Sequence, residues 1–139
     1  MTRTILIKAT LFLLIMLSSV ACFCQENGQT RSLPLINNKA TVKGYAFDKE
    51  LRISKDSLKK GFTVALEDAS YEIVSFTLYY DCESCDIWAE TIYGNAVTLV
   101  NAPILKQLKA GEVLGFNSFK VKKSDKSFTL PELTIILTD

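Results

Sequence analysis

The chain has no histidine, and it holds one tryptophan, three prolines and six glycines in 139 residues. The missing histidine removes the commonest general base near neutral pH and the usual imidazole ligand of zinc. Basic and acidic residues nearly balance, 16 against 15. Such a surface gives no reason to expect nucleic acid or an anionic membrane as partner. Low-complexity tracts and internal repeats are absent. Two carboxylates could still serve a hydrolase, but the sequence fixes no pair at a set separation and suggests no cleft. Serines such as Ser54, Ser57 and Ser75 have local structural explanations. No catalytic residue, metal or cofactor is expected.

What is present begins with a leader. Arg3 and Lys8 give a positive start, Ala9 to Val20 is an uncharged apolar run, Ser18, Ser19 and Ala21 are small, and polar sequence begins at Gln25. This is the layout of a secretory signal peptide. A spanning helix needs roughly 20 apolar residues, more than this run supplies. Residues 1–24 therefore read as a removable signal, leaving an exported, periplasmic chain with no transmembrane span. Cleavage after Ala21 and cleavage after Cys24 both fit. Cys22 after Val20-Ala21 also resembles a lipoprotein box, which would make an outer-membrane lipoprotein anchored at Cys22. Ser19 stands where such a box carries a large aliphatic residue. Loss of Arg3 and Lys8 takes the formal charge from +1 to −1. Residues 25–139 are one domain, long enough for a single core, with a polar lead-in over 25–31.

Short alternating segments fill that domain. Leu33-Pro34-Leu35-Ile36 reads as an extended lead and Ala40 to Tyr45 as a first strand. In Phe62-Thr63-Val64-Ala65-Leu66, the residues Phe62, Val64 and Leu66 share one face. Tyr71 to Tyr80 is the strongest strand, with Val74, Phe76, Leu78 and Tyr80 on one side and Tyr71, Ile73, Ser75, Thr77 and Tyr79 on the other. Ile87 to Tyr93 pairs back on it. Val113 to Lys122 places Val113, Asn117, Phe119 and Val121 on one face, Leu114 and Phe116 on the other. Phe128 to Leu130 and Leu133 to Thr138 close the chain, separated by Pro131. Turns are expected at Asp68-Ala69-Ser70, Gly94-Asn95 and Ser124-Asp125-Lys126.

Two short helical signals interrupt the strands. Ile53 to Gly61 has Ser54 in front and Lys59-Lys60-Gly61 at its end; Asn101 to Gly111 has Asn101 in front and Lys109-Ala110-Gly111 at its end. Neither can cover a parallel sheet. About seven strands at regular spacing argue for an all-β, immunoglobulin-like two-sheet sandwich with two short helical turns.

The order of these pieces resembles the C-terminal β-domain of the GldM family. The resemblance rests on Ile53-Ser54-Lys55 with Leu58, Val64-Ala65-Leu66 and Ile73-Val74-Ser75-Phe76-Thr77-Leu78. It continues with Gly94, with Ile104-Leu105 through Leu108-Lys109-Ala110-Gly111, with Phe119-Lys120-Val121, and with Phe128-Thr129-Leu130-Pro131-Glu132-Leu133-Thr134-Ile135. It spans nearly all of residues 25–139. It implies a periplasmic interaction domain with a protein partner in the cell envelope, associated with gliding motility or type IX secretion. Proteins of that family form a dimeric shaft. This chain carries neither the long helical domain nor the preceding β-domains, so only fold and binding-module character carry over; a homodimer is left open. The family offers no catalytic residues.

Cys82-Glu83-Ser84-Cys85 falls at the tip of the expected hairpin. A structural zinc would need four ligands, and there is neither a second pair of this spacing nor a histidine. A thiol-disulfide catalyst would want a helix N-terminus in a βαβ setting. In an exported protein the pair reads as a disulfide across the turn. Asp81, Glu83 and Asp86 crowd the same tip without an EF-hand loop, which favours solvated carboxylates over calcium. Lys120, Lys122, Lys123 and Lys126 read as a solvated edge. The aromatic residues Tyr71, Tyr79, Trp88 and Tyr93 form a candidate binding surface, with core and cross-strand packing as the competing explanation. Glu90 shares its face with Trp88 and is costly to bury unpaired, so that face is expected to be at least partly solvent-exposed. Two further functions stay in view: a thiol-disulfide protein using Cys82 and Cys85, and a surface carbohydrate-binding module using the aromatics.

Overall fold

A computed structural model describes residues 32–83 and 85–139. The leader, with Cys22 and both cleavage sites, and the lead-in lie outside the described residues. In chain order the strands are β1 (Ala40–Val42), β2 (Glu50–Ser54), β3 (Phe62–Leu66), β4 (Glu72–Asp81) and β5 (Trp88–Tyr93). They continue as β6 (Ala96–Val97), β7 (Val113–Lys123), β8 (Lys126–Phe128) and β9 (Leu133–Thr138). A one-turn helix, α1 (Lys55–Leu58), follows β2, and a 3-10 turn, Pro103–Gln107, precedes β7.

The strands form two sheets. The larger runs β2-β9-β7-β4-β5, with β8 paired to the far end of β7; the smaller runs β1-β3-β6. Each sheet is apolar on one face only, and the two apolar faces close on one another. Phe62 of the small sheet meets Phe116 of the large one edge-on, ring centres 5.9 Å apart. Val42, Val64 and Val97 from one side and Phe76, Leu114, Phe116 and Ile135 from the other belong to one buried cluster. The adjacency of β4, β7 and β9 opposite β1-β3-β6 is that of strands C, F and G opposite A, B and E, so the sandwich is immunoglobulin-like. Leu33–Asp139 form one compact unit.

The core is set by two bulges that simple alternation does not reveal. Ile73 lies opposite Val121 and Ser75 opposite Lys120, so β4 carries one extra residue there; Thr77 lies opposite Asn117, so β7 carries one extra beside it. The two shifts cancel, and pairing resumes in its first register at Thr77 and Asn117. At the β7 bulge Ser118 adopts φ 51°. Each extra residue reverses the facing of the strand beyond it. Hence Phe119 and Val121 enter the core beside Leu114 and Phe116, and Ile73 enters beside Phe76, Leu78 and Tyr80. The split of these residues between two faces read from the sequence is corrected accordingly. A left-handed serine costs about 1–2 kcal/mol, whereas burying a valine or phenylalanine gains about 1.5–3 kcal/mol apiece. Phe119 and Val121 together outweigh the strain.

Two helical expectations are also corrected. Ile53 is not helical: it belongs to β2, which pairs parallel with β9 and sets Ile53 opposite Leu137. Leu51 and Ile53 point inward while Glu50 and Arg52 face water. Ser54 does precede α1 but makes no side-chain capping bond. In the second segment Ala102, not Asn101, precedes the turn, with Pro103 at its start. Asn101 instead closes a loop. Its Oδ1 accepts the Thr98 N–H at 2.8 Å, and its Nδ2 donates to the Ala96 carbonyl at 2.9 Å.

Gly61 ends α1 with φ +98°, and a methyl group there would sit 2.7 Å from the Val97 carbonyl oxygen in β6. Gly44 has nearly the same φ, +97°, with nothing within 4 Å of that position. Alanine at either carries the left-handed cost of about 1–2 kcal/mol, and only Gly61→Ala must also push β6 away. Thermal denaturation should therefore place Gly61→Ala clearly below Gly44→Ala. Equal melting temperatures would mean that β6 yields freely.

Candidate interaction surface

The outward face of the large sheet is built by alternation along β4. With Phe76, Leu78 and Tyr80 buried, Ser75, Thr77 and Tyr79 point away from the core. The ladders extend that row sideways. Across β5, Ser75 lies opposite Tyr93, Thr77 opposite Thr91 and Tyr79 opposite Ala89. Across β7, Thr77 lies opposite Asn117, Tyr79 opposite Gly115 and Asp81 opposite Val113. From β7 to β9, Gly115 lies opposite Thr134 and Val113 opposite Ile136. These rows contain no charged side chain until Asp81 at one end, Lys120 at the other, and Glu50 and Arg52 on β2. A four-strand face of threonine, tyrosine and small or aliphatic residues suits sheet packing. It also has the makeup of an interface centre, which is poor in charge and rich in tyrosine.

Gly115 shapes this face. A Cβ at Gly115 would run into the Tyr79 ring, so the ring lies across the glycine and leaves the middle of the sheet flat. Tyr93 stands out instead, 79% exposed.

The four aromatic candidates do not form one patch. Tyr79 and Tyr93 share the outward face but sit at opposite ends of the β4–β5 ladder, since Tyr93 faces Ser75. Four strand residues separate those levels, about 13 Å. Trp88 faces Tyr80 across the ladder and has the parity of Ile92, which is fully buried. Trp88 is half-buried against the core. Glu90 points to that same side yet is exposed: β5 is the last strand of its sheet, so a residue facing the core side can still reach water. Tyr71 lies beyond the start of β4, packed edge-on against Phe128 with ring centres 5.7 Å apart. The Lys123 ammonium stands 5.0 Å above the Tyr71 ring. Lys122 turns to Glu72 at 3.4 Å, and Lys123 lies opposite Lys126 in the β7–β8 pair.

Cys82 and Cys85 are joined as a disulfide with Cα atoms 5.6 Å apart. The link closes the chain between β4 and β5. Cys82 is buried and Cys85 exposed. Among the described residues, no three carboxylate or thiol side chains come together in a way that could hold a metal ion.

A groove of about 540 Å³ opens between β3 and the start of β4, lined by Lys43, Leu66, Ala69, Tyr71, Glu72 and Asn95, among others. Its loop is held by Asn38, which is buried. Asn38 Oδ1 accepts the Asp68 N–H at 2.9 Å, and Asn38 Nδ2 donates to the Asp68 carbonyl at 3.2 Å. The Ser70 hydroxyl and N–H both donate to the Asp68 carboxylate, at 2.6 and 3.0 Å. These bonds hold the Asp68 carboxyl below the usual carboxylate range. They brace a turn rather than prepare an acid or base.

No family model, no curated protein and no solved structure matches the chain. Among the described residues no helix is long and apolar enough to cross a membrane.

Two measurements check this description. Closing so short a loop should stabilise the domain by about 2 kcal/mol at most, so the Cys82→Ala/Cys85→Ala variant should unfold at modestly lower denaturant and still fold. Complete loss of folding would show that the hairpin depends on the link. Trp88→Ala should cost about 2 kcal/mol, between a surface change and the roughly 3–5 kcal/mol of a fully buried aromatic. A change near zero in chemical denaturation would show that Trp88 does not pack on the core.

Proposed function

We propose that this chain is a non-enzymatic, exported protein–protein interaction module of the GldM C-terminal kind, an accessory of gliding-motility or type IX secretion machinery in the cell envelope. The observation that carries the interaction reading is the charge-free outward face over β9, β7, β4 and β5. Natural surfaces are salted with charge, and a broad neutral face rich in tyrosine and threonine is costly to leave unused because it invites association. The sequence resemblance supplies the machinery and the compartment. The leader-like residues 1–24 and the Cys82–Cys85 link both suit an oxidising location.

The rival functions have less support. A thiol-disulfide catalyst wants its thiolate stabilised at a helix N-terminus, whereas Cys82 and Cys85 lie between two strands, β4 and β5. A carbohydrate platform wants aromatic rings on one plane, whereas Trp88 and Tyr71 turn away from Tyr79 and Tyr93.

Thr77 is the centre of the face, between Thr91 and Asn117. Thr77→Glu should weaken binding to the envelope partner, recovered by cross-linking in the native host, by at least about tenfold, or 1.4 kcal/mol. Its melting temperature should stay within a few degrees of the parent. Undiminished binding by a folded Thr77→Glu protein would remove this face from the function.

A further inference from the structure

The small sheet holds a strand position that the chain leaves open. β6 pairs with Phe62 and Thr63 of β3, and the Asn95 carbonyl accepts the Val64 N–H at 2.8 Å. There the backbone leaves the small sheet, because the Gly94 N–H donates to the Val74 carbonyl of β4 at 2.8 Å. β3 itself runs on to Leu66. On its other side, the Lys43 N–H donates to the Thr63 carbonyl and the Glu67 N–H to the Lys39 carbonyl. Bonded and non-bonded pairs alternate in an antiparallel ladder. Leu66 therefore turns its N–H and C=O away from β1, along the line of β6. Among the described residues no strand pairs with Leu66 on that side. The vacant place is the groove of about 540 Å³ between β3 and the start of β4.

The open groups of Leu66 are one donor and one acceptor, the complement of an extended peptide backbone. A strand laid there in the direction of β6 meets Asn95 at the level of Val64. It has room for a single residue beyond the one that faces Leu66, so the slot is closed at that end and takes a chain terminus. Cross-strand neighbours share a side of the sheet. A side chain facing Leu66 thus points inward with it, onto a floor made by Leu66 and the buried Ile73. Thr63 and Ala65 point to the outer side. Lys43, bonded opposite Thr63, lies on that outer side, lines the groove, and has no carboxylate partner among the described residues. Glu72, the carboxylate on the groove, is held by Lys122 at 3.4 Å. A strand of the reverse direction would set an amino-terminal ammonium at the closed end, beside Lys43. The direction of β6 sets an α-carboxylate there, and charge selects it.

We propose that this groove binds the free carboxyl terminus of another protein, its last residues added to the small sheet as a strand beside Leu66. The second-to-last residue faces Leu66 and is apolar, resting on the Leu66–Ile73 floor. The terminal carboxylate pairs with Lys43 across the small side chain of Ala65. The Asn38–Asp68 bonds already hold the loop beside the slot, so the site is built before its ligand arrives. This ligand is distinct from the partner met by the large sheet, and the site does not depend on that neutral face.

The probe is a set of fluorescein-labelled hexapeptides, threonine throughout except at the second-to-last residue. That residue is valine, isoleucine, leucine or aspartate, and each peptide is made as the free acid and as the amide. Fluorescence anisotropy with the whole chain should show binding of the three apolar acids and clearly weaker binding of the aspartate acid. Amidation should weaken the apolar peptides by about tenfold or more, the loss of one charge-assisted pair. Lys43→Met changes an exposed position, so it should melt with the parent and show the same loss for the acids. Lys43→Arg should restore most of the affinity. Thr77→Glu should bind the peptides as the parent does. Equal affinity for acids and amides overturns the carboxylate site, as does undiminished binding by Lys43→Met. An aspartate peptide bound as tightly as the valine peptide overturns the apolar floor. Absence of binding by every acid up to about 1 mM overturns the proposal altogether. None of these results touches the neutral-face reading, which falls only if Thr77→Glu keeps its partner.

Discussion

The pairing of β4 with β7 is the constraint on which the rest of this domain depends. These two long strands form the middle of the large sheet, and each carries one extra residue where the other does not. The extra residues turn Ile73, Phe119 and Val121 toward the small sheet. Beyond the bulges, strict alternation returns, which leaves Thr77 and Tyr79 outward and Leu78 and Tyr80 inward. A single bulge would have thrown one strand out of register from that point on and put polar residues into the core. Two that cancel keep both the core and the neutral outer face.

That neutral face is a consequence of the sheet rather than of any single residue. Tyr79 lies over Gly115 because the ladder puts a residue without a side chain directly opposite it. Thr77 is flanked by Thr91 and Asn117 for the same reason. The disulfide at the hairpin tip and the Asn38–Asp68 brace fix the ends of the strands. They hold the geometry of the face without taking part in it. The outer face of the large sheet thus displays backbone and uncharged side chains.

Much of this is legible in the chain wherever one face is wet. Phe62–Leu66 alternates apolar and polar residues and forms β3 over those residues. Leu133, Ile135 and Leu137 alternate with half-buried neighbours in β9. Alternation fails where the backbone adds a residue, since Val74 and Ser118 look like any other strand positions; a serine carries no mark of φ 51°. It also fails at Glu50–Ser54, where the strand runs straight into α1, and the lysine and glycine after it draw the helix signal back over Ile53. Of the aromatic candidates, Tyr79 and Tyr93 do lie on the outward face. Glu90 is exposed and Trp88 only partly buried, because at a sheet edge both sides can reach water. The missed signal is the absence of charge at alternate positions of Ser75 to Tyr79, Ala89 to Tyr93 and Gly115 to Asn117. It becomes visible only once those three segments are known to be neighbours.

The most direct test of the account is to watch the face itself while the domain is bound. In a protein labelled at threonine and isoleucine methyl groups, the envelope partner recovered by cross-linking should perturb the resonances of Thr77, Thr134 and Ile136. Thr63 and Thr41 of the small sheet should stay unmoved. Perturbation confined to the small sheet, or to the residues around Cys82 and Cys85, would contradict the claim that the neutral face of the large sheet is where this protein meets its partner.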